Sequence, residues 1–468
     1  MATAAWADEP CRIPGIRNEV QCGTVTRPLD PATPDGPTIT IHYLRVPAMA
    51  RRKLPDPVFL VAGGPGQSAI KVAPQVLPRF TRLNNRRDIV FVDQRGTGRS
   101  APLDCEEPKQ RLLADQSDPR FQLDMLRRCR ERLQQLPHGD LRFYTTTIAM
   151  QDLDAVRRAI GAERIDLVGV SYGTRAILEY QRQFPSAVRR SVLDGVAPPD
   201  MALPASFSTD GQAALDAVLA ACEAEPACHD RHPTLRQDWH ALLKSLPKPV
   251  TVQHPLTGQA ERFTLTRDMV LGSVRGALYV PTLAAALPHA LAEAAHDRFE
   301  PLSALNSLFG GKKGMGIAMG MHFSVVCAED LPRVPQATDK PGPDFADDFA
   351  RLYARICADW PRGAVPPAFY TMSPSRSPVL LLSGGADPAT PPRHAERVAK
   401  ALGPMARHVI APGAGHGVIG MPCMHDMLFR FIDAQDDQAA LAVDTSCVAA
   451  VPRPPAYRPP QLDAEAPK

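Results

Sequence analysis

Short, unbroken apolar runs punctuate the first half of the chain. Pro57-Val58-Phe59-Leu60-Val61-Ala62, Asp88-Ile89-Val90-Phe91-Val92-Asp93 and Ile165-Asp166-Leu167-Val168-Gly169-Val170 are rich in β-branched and large aliphatic residues and too short for helices. Such runs predict strands buried on both faces, as in a parallel sheet covered by helices. Before them, Thr38-Ile39-Thr40-Ile41-His42-Tyr43-Leu44-Arg45-Val46 alternates polar and apolar residues. Alternation of this kind, framed by Pro28-Leu29-Asp30-Pro31 and Asp35-Gly36, predicts an antiparallel meander at the sheet's edge. Over residues 145–162 the period becomes helical, with Ile148, Leu153, Val156 and Ile160 on one side and Asp152, Asp154, Arg157 and Arg158 mainly on the other. A helix over 176–184, closed by Pro185, and a strand over 191–194 complete a strand–helix–strand alternation. The pattern is that of an α/β, doubly wound, mostly parallel sheet.

From residue 198 the pattern changes. Helical stretches over 211–223, 235–246 and 282–295 follow one another, with a short hairpin expected from Val250-Thr251-Val252 and Arg262-Phe263-Thr264-Leu265. Gly310-Gly311-Lys312-Lys313-Gly314-Met315-Gly316 interrupts them. Sheet-type sequence resumes at Pro378-Val379-Leu380-Leu381-Leu382-Ser383 and at His408-Val409-Ile410. The expected organisation is one sheet-based core, residues 1–199 and 371–468, carrying a mainly helical insertion over 200–370 and ending in a proline-rich surface strap.

Composition narrows the functions. With 468 residues, 44% of them apolar, the chain has ample material for a large core. Its 53 basic against 50 acidic residues leave a formal charge of +3, which gives no electrostatic reason to expect nucleic acid or an anionic membrane as partner. No apolar run is long enough to span a bilayer. The ten cysteines fall in sequence-local couples: 11 and 22, 105 and 129, 222 and 228, 327 and 357, 423 and 447. Five local disulfides are therefore expected, together with a secreted or periplasmic location. Ala5-Trp6-Ala7 has the small-x-small form that precedes a leader cleavage site, consistent with a leader removed or replaced.

The chemistry centres on Gly169-Val170-Ser171-Tyr172-Gly173, a Gly-x-Ser-x-Gly sequence between a strand and a helix. This is the pattern of a nucleophile elbow, in which glycines permit a turn tight enough to project the serine hydroxyl. A serine becomes nucleophilic only when a base takes its proton, and the base needs an acid to hold its tautomer. Both follow in the required order, each just past a strand: Asp387 in Gly384-Gly385-Ala386-Asp387-Pro388, and His416 in Gly413-Ala414-Gly415-His416-Gly417. His408 and His425 compete less well for the base, the first at a strand's start and the second in a helical pattern. Two N–H groups must stabilise the oxyanion of an acyl-transfer intermediate, and Tyr172 and Gly64 are the expected donors, Gly64 within Ala62-Gly63-Gly64-Pro65-Gly66.

Other motifs carry less. Gly63-Gly64-Pro65-Gly66 is followed by no Gly-Lys-Ser/Thr and is not a phosphate loop. Gly96-Thr97-Gly98-Arg99-Ser100-Ala101 has dinucleotide-fingerprint spacing, but Pro102 and Asp104 make a poor start for the helix that would carry a pyrophosphate. His229-Asp230-Arg231-His232 lies between Cys228 and Pro233 in what reads as a solvated loop. No metal and no cofactor is expected.

Asp93-Gln94-Arg95-Gly96-Thr97-Gly98-Arg99-Ser100, with Gly63-Gly64-Pro65-Gly66 before it and Gly169-Val170-Ser171-Tyr172-Gly173-Thr174 after it, resembles the prolyl and tripeptidyl aminopeptidase family of α/β-hydrolases. Tyr144-Thr145-Thr146 and the turns at Asp387 and His416 extend the likeness, which covers residues 20–200 and 370–450 and is closest to the larger exported tripeptidyl-type members. The resemblance implies an α/β-hydrolase fold with the insertion as cap, and a serine exopeptidase removing short units from peptide N-termini. Short peptides with a free N-terminus are the implied partners. Two departures stand out: Ala62 replaces the usual histidine, and the longer insertion prevents the family's amine-binding acids from being carried over. Glu329 and Asp330, adjacent carboxylates within the insertion, are the expected contacts for the substrate ammonium. The alternative enzyme is a carboxylesterase or amidase using the same Ser171, Asp387 and His416, since one scaffold hosts several activities. A catalytically dead binding module would lack a member of that set.

Overall fold

The computed structural model describes residues 8–106, 112–310 and 316–459. The small-x-small site at residues 5–7 and most of the glycine-rich interruption, residues 311–315, lie outside the described residues. Eleven strands are formed: β1 Glu9–Cys11, β2 Val20–Pro28, β3 Thr38–Val46, β4 Val58–Val61, β5 Ile89–Val92, β6 Ile165–Val170, β7 Val188–Asp194, β8 Lys248–Gln253, β9 Ala260–Leu265, β10 Val379–Gly384 and β11 Ala406–Ala411. Nine build one sheet in the order β1-β2-β3-β5-β4-β6-β7-β10-β11, and β8 and β9 form a separate hairpin.

Strand chemistry follows position. β4, β5 and β10 are buried at every residue, because the interior strands are covered on both faces. β3 keeps Ile39, Ile41 and Tyr43 inward with Thr38 and Thr40 exposed, as suits a strand near the edge. β1, β2 and β3 are antiparallel, β3 runs antiparallel to β5, and β5, β4, β6, β7, β10 and β11 pair in parallel in that order.

The order of the parallel strands decides where a site can form. The chain passes from β4 outward to β5, then returns to place β6 on the other side of β4. At such a reversal the loops leaving neighbouring strands diverge and open a crevice at their carboxyl ends. Here those loops begin at Ala62 and Ser171.

Between β7 and β10 the chain is mostly helical, and the helices Leu203–Ala224, Leu235–Ser245, Arg267–Leu278 and Leu287–Ala295 share one hydrophobic cluster with the hairpin. Leu215, Trp239, Val274 and Leu291 meet there in a cluster distinct from those lining the sheet. The helix Met319–Glu329 instead packs Met321, Phe323 and Val325 against a sheet-side cluster. Cysteines pair as 11–22, 105–129, 222–228, 327–357 and 423–447, with Cα separations from 5.1 to 6.1 Å. Among the described residues no helix is long and apolar enough to cross a membrane.

The candidate active site at the switch point

Ser171 sits between β6 and the helix Tyr172–Gln183 with φ 56° and ψ −124°, outside the regions a non-glycine residue ordinarily occupies. Strain of this kind persists only where its surroundings enforce it. A Cβ at Gly173 would overlap the carbonyl oxygen of Val61, and one at Gly169 would lie 2.6 Å from Ile177 Cδ1 and 2.7 Å from Gly173 O. The helix begins directly behind the serine, four residues earlier than the sequence pattern predicts.

Asp387 and His416 follow β10 and β11 and come together. His416 Nδ1 lies 2.8 Å from Asp387 Oδ2 and 3.0 Å from Oδ1. The acid is fully enclosed, whereas the imidazole is 13% exposed. Burial would raise the Asp387 carboxyl, but His416 and the N–H groups of Thr390 and Ala389 hold it below the usual carboxylate range. For His416, burial opposes protonation, and the Asp387 charge and hydrogen bond outweigh it, so the imidazole titrates above its ordinary value. Of the competing histidines, His408 bonds Ser383 Oγ at 3.0 Å within β11, and His425 belongs to the helix Pro422–Asp433.

Two residues that the sequence reading missed complete this corner. Thr390 donates its hydroxyl to Asp387 Oδ2 at 2.8 Å and stands 3.2 Å from His416 Nδ1. Its position three residues after an aspartate in a turn was the available signal, since Asp commonly accepts from N–H groups two and three residues on. Tyr279, from the mostly helical insertion, places its ring edge-on to the imidazole at 4.9 Å, and its carbonyl accepts the His416 N–H at 3.1 Å. No sequence signal marks it.

Gly64, Ser171, Tyr172, Phe207, Tyr279 and Thr390 share the wall of one cavity of about 40 Å³. Gly64 has φ +111°, a conformation that disfavours side chains, and a Cβ on neighbouring Gly63 would come within 3.3 Å of Ser171 Cβ. Tyr172 is the first residue of its helix, where backbone N–H groups have no intrahelical partner. Larger clefts exist, one of about 460 Å³ beside Met269, Asn306 and Phe349, but no histidine and no residue of the elbow turn lines that one.

Glu329 and Asp330 lie elsewhere than at that wall. Each is 1% exposed. Glu329 accepts from Thr146 N at 2.6 Å and pairs with Thr146 Oγ1 at 2.9 Å, and that hydroxyl is 2.7 Å from Tyr172 OH. Asp330 takes both arms of Arg175 at 2.9 Å and the N–H of Leu203 at 3.0 Å. Burial pushes the Glu329 carboxyl up to about 8, against the opposing pull of Arg175. Among the described residues no group of His, Cys, Asp and Glu is arranged to hold a metal ion.

A parallel sheet reversed at β4 and β6, with a serine in a strained elbow at the reversal and an Asp–His pair beyond later strands, defines a serine hydrolase of the α/β-hydrolase fold. The α/β-hydrolase fold family model matches residues 56–220, and a TAP-like protein model matches residues 342–447. Tripeptidyl aminopeptidase of Streptomyces coelicolor is 26% identical, over 93% of this chain and 84% of its own length. Serine protease Hip1 of Mycobacterium tuberculosis is 26% identical over 82% of this chain and 80% of its length. A tripeptidyl aminopeptidase of Streptomyces lividans reaches 34%, over 38% of this chain and 36% of its own. The chain has the α/β-hydrolase fold and is similar to tripeptidyl aminopeptidases and to serine protease Hip1.

Proposed function

We propose that this protein is a serine aminopeptidase that cleaves short units from the N-termini of peptides. Ser171 is the nucleophile, His416 the general base and Asp387 the acid that orients it. Ser171 Oγ bonds to the scissile carbonyl carbon while its proton passes to His416. The N–H groups of Gly64 and Tyr172 receive the oxyanion, the imidazolium returns the proton to the leaving amine, and water then releases the acyl unit by the same route.

The observation that carries this reading is the enclosure of the serine. The cavity of about 40 Å³ is bounded by Leu203, Phe207 and Tyr279, which come from the stretch after β7. An endopeptidase needs a groove open at both ends, whereas a roof above the nucleophile favours chain termini. On this reading residues 200–370 act as the cap. Glu329 and Asp330 serve behind the wall, fixing Tyr172 and Arg175, because their oxygens are already committed to Thr146, Arg175 and Leu203. The family's tripeptidyl members favour release of a tripeptide. The five cysteine pairs support an exported protein, since such bridges persist in oxidising compartments.

A panel of aminoacyl, dipeptidyl and tripeptidyl amides with free and with acetylated N-termini, run beside simple esters, tests the proposal. Preference for a free-amine tripeptidyl amide is expected. Hydrolysis of esters alone would instead favour a carboxylesterase.

A further inference from the structure

Asp194, the last residue of β7, connects the two moving partners of the reaction. Its carbonyl oxygen accepts the N–H of Ser171 at 2.8 Å. Its carboxylate accepts the N–H groups of Val418 at 2.9 Å and Ile419 at 2.8 Å, two and three residues beyond His416. The next residue, Gly195, has φ +65° and forms the floor beneath the acid and base. A Cβ there would stand 3.0 Å from Thr390 Oγ1, 3.4 Å from His416 Cε1 and 3.6 Å from Asp387 Oδ2.

The cost of this arrangement suggests a use. Asp194 is 0% exposed, and among the described residues no Lys or Arg forms an ion pair with it. A buried carboxylate without a cation is expensive, and two backbone N–H groups offset only part of that. Its immediate neighbours Val192 and Leu193 are apolar and fully buried, so the carboxylate has a dry setting. The cation that fits is transient: the imidazolium of His416.

We propose that Asp194 is a positioning residue for acyl transfer, its carboxylate holding the chain after His416 in line with Ser171 and its charge favouring the imidazolium. The proposal rests on the assignment of Ser171, Asp387 and His416 as the triad. Three charged groups face His416, namely Asp387, Asp194 and Arg275, the last opposing protonation. Burial lifts the Asp194 carboxyl to about 6, against the pull of the Val418 and Ile419 N–H groups and of His416, with Asp387 adding repulsion. Above that value the negative charge is in place during turnover.

Asp194→Asn keeps the shape but removes the charge and turns one donor toward another; Asp194→Ser removes most of the side chain. The test measures kcat and KM for a tripeptidyl amide and a p-nitrophenyl ester, between about pH 5 and 9, beside Ser171→Ala and with folding checked by circular dichroism. The Asp194 variants should lose about tenfold to a hundredfold in kcat with KM within about twofold, the scale of partial loss of base catalysis. The acid limb of kcat/KM should move to lower pH, because the imidazolium has lost a negative neighbour. A kcat within about twofold of the parent, an unmoved acid limb, or failure of both variants to fold would overturn the proposal. Ser171→Ala separates the two levels: if it stays active the triad assignment fails, and if it is inactive while the Asp194 variants are normal, only the role of Asp194 fails.

Discussion

Arg175 and Asp330 form a two-pronged ion pair, both contacts at 2.9 Å, although 155 residues separate them. Their side chains are 2% and 1% exposed, and Arg175 also lines the cavity beside Ser171. The pair fastens the elbow helix to the end of the helix Met319–Glu329, so fold and site share one joint. Removing one partner from a buried pair leaves the other charge uncompensated, at a cost of about 3–5 kcal/mol. Asp330→Ala should therefore lower stability by about that amount in chemical denaturation. A loss below about 1 kcal/mol would show that water or another group compensates Arg175.

The legible parts of this molecule are those whose signal is local. β4, β5 and β10 announce themselves as apolar runs because both their faces are buried. Ser171, Asp387 and His416 stand in short glycine-rich turns directly after strands, so pattern and position coincide. What escaped depends on distant partners. Nothing near Glu329 and Asp330 reveals that Thr146 and Arg175, far earlier in the chain, consume their oxygens. The elbow helix starts earlier than its pattern predicts because Gly173 and Thr174 are poor helix formers, and packing of the first turn against β4 overrides that preference. The expected helix over 282–295 is instead two, Pro281–Ala284 and Leu287–Ala295, since Pro288 can donate no helical hydrogen bond and sits in the first turn of the second.

Ser171→Ala should fold normally and lose activity by about 10⁴-fold or more, because the oxyanion donors and binding alone retain only about 10³–10⁴ over the uncatalysed rate. Activity of the parent should survive a chelator, as proton transfer among serine, histidine and aspartate calls for no metal. Rates measured on both proteins against one tripeptidyl amide, with and without the chelator, decide both points. A variant with near-parental turnover would remove Ser171 from the chemistry.

The base must be neutral to take the serine proton, so activity should rise with pH through the titration of His416. Asp387 holds that titration above the ordinary histidine value, and the acid limb of kcat/KM should sit correspondingly above about 6.5. Asp387→Asn removes the charge responsible and should shift the limb to lower pH while reducing kcat. A limb that ignores this substitution would mean that another group controls the profile.

Glu329 offers a test that separates a buried structural acid from a substrate-binding one. Its carboxyl is raised to about 8 by burial, so it is mostly protonated at neutral pH and is hydrogen-bonded on both oxygens to Thr146. Glutamine reproduces that shape and can accept from Thr146 N–H while donating to Oγ1. Glu329→Gln should therefore leave kcat/KM within about threefold on peptides and esters alike. The sign of the stability change follows from proton binding. Between the unfolded value near 4.5 and the folded value near 8 the folded protein holds the extra proton, so this group's stabilising contribution is complete below about 4.5 and declines as pH rises through about 8. Glutamine cannot ionise, so the variant should gain stability relative to the parent as pH is raised from about 5 to about 9, read as the difference between their denaturation midpoints. A large loss of kcat/KM confined to substrates with a free N-terminus would instead place Glu329 at the ammonium, and the carboxylate would then have to reach the cavity in a conformation other than the one it occupies here.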